Sequence, residues 1–168
     1  MSKKVFIGID NGVSGTIGII TNDNISFFKT PIKNVAKYTK KKAFINRVDH
    51  KKLREILIEI TRNYSIDEII VGLERPMVNP TRFNASTSAL RAFESTLVIL
   101  EQLDFPYFYI DSKEWQKALL PKGIKGNSEL KKASKSVGNR LFPQFKNYVH
   151  PDRDGILIAE YIRSKYVG

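Results

Sequence analysis

The stretch VFIGID, residues 5–10, sets five apolar positions directly before a carboxylate. The apolar part predicts a buried strand, and a carboxylate at the end of such a strand is costly unless a cation compensates for its charge. The same pattern recurs in IIVGLE, residues 69–74, which ends on a glutamate. Two further acids, Asp152 and Asp154, precede the apolar run GILIA at residues 155–159. Hard oxygen ligands gathered in this way are what Mg²⁺ or Mn²⁺ requires.

Composition limits the kinds of protein that this chain can be. Its 168 residues suit one substantial core, and we expect residues 1–168 to form a single domain. The 28 lysines and arginines exceed the 17 acids, and the formal charge of +11 favours a polyanionic partner such as nucleic acid. The absence of cysteine excludes disulfides and thiolate zinc sites. No apolar run reaches membrane-spanning length, so we expect a cytoplasmic protein without a membrane partner. A metal-carboxylate centre that meets a polyanion suggests a nuclease.

The first half of the chain predicts an antiparallel meander of three strands. These strands lie at residues 5–9, 15–20 and 25–28, and tight links with turn residues join them. Residues 33–54 hold nine lysines or arginines against one acid, and their second half has apolar residues at helical spacing. We interpret this region as a helix with a basic approach. Residues 68–73 predict a fourth strand that is apolar enough to be buried on both faces, as a parallel strand is.

The second half of the chain predicts helices around one further strand. Apolar spacing indicates a long helix that begins at Ser86 or Ser88 and ends near Leu103. Residues 106–110 predict a fifth strand, short helices follow it, and Pro151 introduces the last helix. The order of elements predicts an α/β fold with a five-stranded mixed sheet, three strands antiparallel and two parallel, flanked by helices.

This order, with acids at two strand ends and at the start of the last helix, resembles the ribonuclease-H-like superfamily. Three segments are similar to the motifs of RuvC-type Holliday-junction resolvases, particularly phage-type members. They are IGIDNG at residues 7–12, GLERP at residues 72–76 and DGILIAEY at residues 154–161. The resemblance implies a ribonuclease-H-like fold over nearly the whole chain and a phage-encoded protein that acts in the host cytoplasm.

The resemblance also implies the chemistry of the site. Asp10, Glu74 and Asp154 would ligate two Mg²⁺ or Mn²⁺ ions, and Asp10 would bridge them. Two such ions roughly 4 Å apart can activate a water on one side of a phosphodiester and stabilise the departing 3′ oxygen on the other. The alternatives are a plain turn at Asp10 and an ion pair between Glu74 and a nearby base.

A fourth group of the site has two candidates. The family often places an acid or a histidine three residues before the last aspartate, where this chain has Pro151. On a regular helix Asp152 and Asp154 would lie about 200° apart, so Asp152 either caps the helix or joins the site. If Pro151 is the first helical residue, His150 takes the N-cap position and leans towards the site, or it is hydrogen bonded elsewhere. The predicted acids are Asp10, Glu74, Asp152 and Asp154, with His150 as a further candidate.

Basic residues near these acids are candidates for phosphate contacts that hold DNA, although many could be only a solvated surface. They are Arg75, Arg82, Lys122, Lys125, Lys131 and Lys132. The expected function is a metal-dependent endonuclease that resolves four-way junctions by paired nicking, with flaps and forks as further candidate substrates. We expect a two-fold homodimer, because a junction has paired equivalent strands. Apolar residues of the long helix form either the core or the dimer contact: Leu90, Phe93, Leu97 and Leu100.

Two other functions fit part of the sequence. Residues 7–16, IGIDNGVSGT, also resemble the phosphate loop of sugar kinases in the actin-like superfamily, which would make the chain a phosphotransferase fragment. Its length counts against this function, because those enzymes need two such domains. A non-catalytic module that binds branched DNA would account for the charge and would leave the acids at the strand ends unexplained.

Overall fold

The computed structural model describes residues 3–167 as a five-stranded mixed sheet with helices on both faces and a separate hairpin. In chain order the elements are β1 (Val5–Ile9), β2 (Thr16–Ile20), β3 (Ile25–Lys29), β4 (Ile32–Ala36), β5 (Phe44–Val48), α1 (His50–Thr61), β6 (Ile69–Glu74), α2 (Phe83–Gln102), β7 (Tyr107–Ile110), α3 (Ser112–Leu119), α4 (Asn127–Leu141) and α5 (Asp154–Val167). The strands of the large sheet lie in the order β3-β2-β1-β6-β7. β1, β2 and β3 pair antiparallel, whereas β6 pairs parallel with both β1 and β7. The predicted mixed sheet is therefore confirmed.

Successive side chains along each strand point to opposite faces of the sheet, and a layer of helices covers each face. Ile7 and Ile9 lie in a core with Leu53 of α1 and Leu100 of α2. Phe6 points to the opposite face, where α3, α4 and α5 complete a second core. None of the helices within residues 3–167 combines the length and apolar character that a membrane crossing requires.

The last helix packs directly on strand backbone because glycines line its path. Gly18, Gly8 and Gly72 are cross-strand neighbours on β2, β1 and β6. A Cβ atom at Gly8 would overlap the backbone nitrogen of Ala159, and one at Gly18 would overlap the Cα atom of Ile156. Since no side chain intervenes, α5 lies against β1 and β2 more closely than larger residues would allow.

Residues 32–48 differ from the sequence prediction. They form the antiparallel β4–β5 hairpin, where a basic approach to a helix was expected. Val35 and Ile45 pair across the hairpin and line a cavity against α2. The strand pattern is weak in the sequence because the apolar residues of IKNVA and FINRV do not alternate with polar ones, and only Val48 of the two strands enters the main core.

Two helix starts also differ from the prediction. α2 begins at Phe83, about one turn early, and Ser86 is tied to the preceding loop instead of capping the helix. The Ser86 hydroxyl donates to the carbonyl of Asn79 at 2.8 Å and accepts from its backbone nitrogen at 2.9 Å. α5 begins at Asp154 and not at Pro151, so Pro151, Asp152 and Arg153 lie in the loop before the helix.

A methyl group at either central glycine should destabilise the protein. We expect Gly8→Ala and Gly18→Ala each to lower the free energy of unfolding by about 3 kcal/mol, because the added atom meets helix backbone. Gly72→Ala is the matched control, since its Cβ would meet only the side-chain ends of Ile110 and Ile162, and should cost about 1 kcal/mol. Urea denaturation followed by circular dichroism measures the three values. Equal losses in all three variants would contradict the backbone contact.

Candidate metal centre

Two neighbouring strands deliver carboxylates to the same side of the sheet. The alternation that turns Gly8 and Gly72 towards α5 also turns Asp10 and Glu74 towards it. Since β1 and β6 are parallel neighbours, their carboxyl ends lie at one edge of the sheet. The two strand-end acids therefore face the layer in which α5 begins.

The start of α5 supplies two more carboxylates. Ligand oxygens of Asp10, Asp152 and Asp154 lie within 4.8 Å of one another. Asp152 precedes the helix, and its Oδ1 accepts a hydrogen bond from the backbone nitrogen of Asp154 at 3.2 Å. The separation of about 200° applies only to two helical residues, so it does not keep these side chains apart. Asp152 thus accepts from the first backbone N–H of the helix and faces the acidic cluster at the same time.

The electrostatics of the cluster suit a cation. Burial raises the pKa of Asp10 well above its usual value, and repulsion from Glu74 and Asp154 raises it further. Burial, together with the charge of Asp152, raises the pKa of Asp154 to about 7. Burial also raises the pKa of Glu74. The carboxylates lie so close together that each makes ionisation of the others less favourable. A divalent ion such as Mg²⁺, which prefers oxygen ligands, would favour their ionised forms.

Neighbouring side chains hold two of these carboxylates in place. Trp115 of α3 is fully buried, and its Nε1 donates to Oε1 of Glu74 at 2.8 Å. Ser134 of α4 donates to Oδ1 of Asp154, and its hydroxyl accepts from the backbone nitrogen of Arg153 at 3.0 Å. Such partners orient ligands before an ion binds. Sequence analysis missed both roles, because neither residue is near its carboxylate along the chain.

Arg153 fixes the loop that carries Asp152. Arg153 lies between Asp152 and Asp154 in the sequence, and its side chain is fully buried. The guanidinium has five donors, which reach oxygens of Asn139, Phe145, Tyr148, His150 and Asp152. Burying this charge is tolerable because every donor is used. The residues before α5 are therefore held by one side chain.

His150 lies beside the cluster as a hydrogen-bonding partner. Its Nε2 is 3.1 Å from the carbonyl oxygen of Ser14, and its Nδ1 is 3.3 Å from the backbone nitrogen of Asp152. It therefore links the loop after β1 to the segment before α5. Its Nδ1 also lies 3.3 Å from Oδ1 of Asp152. Within residues 3–167, the three ligand atoms that lie within 4.8 Å of one another belong to Asp10, Asp152 and Asp154.

The predicted phosphate contacts occupy different surroundings. Arg75 and Lys132 already form exposed ion pairs with neighbouring acids, at 3.0 and 2.8 Å. Lys131 is half-buried on α4, and its charge acts to lower the pKa of Asp154, so its field reaches the acidic cluster. The remaining candidates are exposed and form no ion pair within the described residues: Arg82, Lys122 and Lys125.

The fold has counterparts among solved structures. The structure of Thermus thermophilus RuvC in complex with a Holliday junction substrate is similar with a TM-score of 0.53 at 11% identity, over 98% of this chain and 96% of that one. A second structure of Thermus thermophilus RuvC gives a TM-score of 0.51 at 12% identity, over 97% of this chain and 96% of that one. No protein-family model matches the sequence, and a comparison with curated proteins gives no match. The likeness shows a ribonuclease-H-like fold of the RuvC kind.

The cluster should make the metal-free protein less stable as pH rises. The pKa of Asp154 is about 7 in the folded protein and about 3.9 in an unfolded chain, so the folded state holds the extra proton between those values. Stability therefore falls as pH increases from about 4 to 7. In EDTA at pH 8 we expect Asp154→Asn to exceed the wild type in free energy of unfolding by on the order of 1–4 kcal/mol.

Urea denaturation at pH 5 and pH 8 measures this difference. Asp23→Asn is the matched control, because Asp23 is exposed in the turn between β2 and β3, and it should follow the wild type at both values. Added Mg²⁺ should stabilise the wild type more at pH 8 than at pH 5, since protons compete for the same oxygens. A wild type whose stability rises between pH 5 and pH 8 in EDTA would contradict the raised pKa of the buried Asp154 carboxyl.

Proposed function

We propose that this protein is a divalent-metal-dependent endonuclease that resolves four-way DNA junctions by paired nicking. The observation that carries the proposal is the cluster of Asp10, Asp152 and Asp154 at the edge of a ribonuclease-H-like sheet. The formal charge of +11 supports a nucleic-acid substrate. RuvC of Thermus thermophilus, whose fold is similar, has been solved with a Holliday junction substrate. In this proposal residues 1–168 act as one nuclease domain, flaps and forks are further candidate substrates, and a phage origin stays a prediction.

Asp10, Asp152 and Asp154 would hold the metal, with Glu74 completing the set from β6. Two bound Mg²⁺ or Mn²⁺ ions would supply activation of water and stabilisation of the departing 3′ oxygen. A bound divalent ion would favour the ionised forms of these carboxylates, because it carries the opposite charge.

Protein groups around the cluster contribute orientation. Trp115 and Ser134 keep two carboxylates aimed at the site, which lowers the cost of ordering them when substrate arrives. The buried Arg153 holds the loop that presents Asp152. Exposed lysines and arginines position the phosphate backbone without reading its sequence, and Lys131 is the predicted contact whose charge reaches the acids.

We propose that the active species is a two-fold homodimer. Two identical sites match the paired strands of a junction. On α2, Phe93 and Leu97 pack against the core and Leu100 is buried within it, which favours the core alternative for these residues. Leu90 is 45% exposed and remains a candidate for contact with a second copy.

Removal of any one acid should abolish cleavage and spare binding. A labelled four-way junction incubated with Mg²⁺, Mn²⁺ or EDTA provides the test. We expect each variant to lose at least about 100-fold in nicking rate and to keep its junction affinity, because a ligand is lost while the phosphate contacts stay. The variants are Asp10→Asn, Glu74→Gln, Asp152→Asn and Asp154→Asn, with Asp23→Asn as the control.

The outcomes separate the three functions. A wild type that shows no metal-dependent nicking overturns the nuclease proposal. Junction binding without cleavage would then favour the non-catalytic module, and ATP binding would favour the actin-like phosphotransferase. Wild-type rates in all four variants would overturn the assignment of the site. His150→Ala tests whether the histidine acts beyond its hydrogen bonds.

Mixed subunits should uncouple the two cuts. A supercoiled plasmid with an extruded cruciform becomes linear when both strands are cut across the junction and open-circular when one is nicked. Mixing wild-type chains with excess Asp10→Asn chains should shift the product from linear to open-circular, because most dimers that still contain an active site then contain only one. Sedimentation should show two chains per junction. Linear product at undiminished yield, from one chain per junction, would contradict the dimer.

A further inference from the structure

The β4–β5 hairpin concentrates positive charge that the proposed centre does not use. Residues 32–48 hold six lysines or arginines and no acid: Lys33, Lys37, Lys40, Lys41, Lys42 and Arg47. None of them forms an ion pair with another residue of the described chain. By contrast, Arg62, Lys132 and Arg163 each pair with a glutamate three residues earlier. The hairpin thus leaves its cations without acidic partners.

The arrangement of these cations is unfavourable for the isolated hairpin. Lys33 and Arg47 are direct cross-strand partners, and like charges at such positions destabilise an antiparallel pair. Lys40, Lys41 and Lys42 follow one another in the turn, and all three are exposed. A polyanion laid against the hairpin would relieve this repulsion.

The hairpin borders the loop that follows Asp10. One cleft has walls from the hairpin, from the start of α2 and from the loop that follows Asp10. The lining residues include Val13, Lys37, Tyr38, Phe83 and Arg91. Tyr38 is 87% exposed and Phe83 is 72% exposed, so the cleft combines aromatic rings with cations. Nucleic-acid surfaces commonly have this combination.

Arg91 extends the positive surface onto α2. It lines the cleft beside Val13 and also the cavity between the hairpin and α2. It forms no ion pair within residues 3–167, and its buried Nε has no hydrogen-bond partner there. A guanidinium in this position is suited to a phosphate group.

We propose that the β4–β5 hairpin and the adjoining side of α2 form a second DNA-contact surface, which holds the phosphate backbone of a duplex arm beside the metal centre. This inference rests on the proposed function and adds the surface that positions the arm. A second copy of the chain fits the surface less well. A two-fold contact would set the same cations against one another, because an isologous patch meets itself.

Junction binding in EDTA tests the surface without cleavage. We expect the triple variant Lys40→Ala, Lys41→Ala, Lys42→Ala to bind a fluorescent four-way junction about tenfold more weakly, and the slope of log affinity against log salt to fall by up to about 2.7, or about 0.9 for each phosphate contact. The charge-retaining variant Lys40→Arg, Lys41→Arg, Lys42→Arg should bind like the wild type. Thermal unfolding should be unchanged, since the three side chains are exposed.

A matched control removes three charges elsewhere. Arg140, Lys146 and Arg163 are exposed, and Arg163 lines a cleft with the β2–β3 turn, at the end of the sheet opposite Asp10. Their triple alanine variant should keep the affinity within about twofold if the effect is local to the hairpin. An equal loss of affinity in this control would overturn the proposal, because general charge would then explain the effect.

Other outcomes separate the surface from the function. If the wild type binds the junction and the lysine-to-alanine variant binds equally with the same salt slope, the hairpin surface is wrong and the nuclease proposal stands. If the wild type binds but does not cleave with Mg²⁺, the nuclease proposal fails, and weaker binding by the variant still supports the surface. If the variant changes from two chains to one in sedimentation while its DNA affinity is unchanged, the hairpin holds a second copy and the proposal is overturned.

Discussion

The contact between α5 and the sheet is the constraint on which the candidate site depends. Because Gly8 and Gly18 have no side chains, helix backbone rests on strand backbone, and the start of α5 reaches the edge where β1 ends. A hydrogen bond from the Gly155 backbone nitrogen to the Thr16 hydroxyl, at 2.9 Å, fixes the first turn. A larger residue in the path of the helix would move the helix acids away from Asp10. The glycines therefore determine how close Asp154 lies to Asp10, although they are not part of the site themselves.

Three consecutive residues before and at the start of α5 have opposite effects on stability. In the sequence Asp152-Arg153-Asp154, the arginine turns into the protein and uses all five donors, whereas both aspartates face the cluster. The buried network stabilises the loop, and the crowded carboxylates act against stability when they are ionised. In the metal-free protein, packing and hydrogen bonds such as that of Trp115 to Glu74 must offset the repulsion between the carboxylates. Sites with stored repulsion of this kind commonly trade stability for function.

Much of the sheet was predictable from local sequence, because an apolar run that ends on an acid identifies both a strand and its edge. Residues 32–48 were not, since the strands IKNVA and FINRV show no clean alternation of apolar and polar residues. Pro151 suggested a helix start, but the chain stays irregular until Asp154 and so lets Asp152 face the cluster. The hydrogen bond of Trp115 to Glu74 could not be predicted, because the two residues are 41 positions apart in the chain. Local pattern determines elements, whereas the partners of the acids depend on tertiary contacts.

The charges around the candidate site bear on how a polyanion would approach it. Three aspartates gather at one edge of the sheet within a chain of formal charge +11. Cations lie on both sides of that edge, with Lys131 on α4 and the β4–β5 hairpin next to the loop that begins at Asp10. Phosphates attracted by the flanks would meet repulsion at the centre until the carboxylates are neutralised by protons or by divalent ions. Under the proposed function, the flanks would attract the phosphate backbone, and occupancy of the centre would set how closely a phosphodiester can approach the acids.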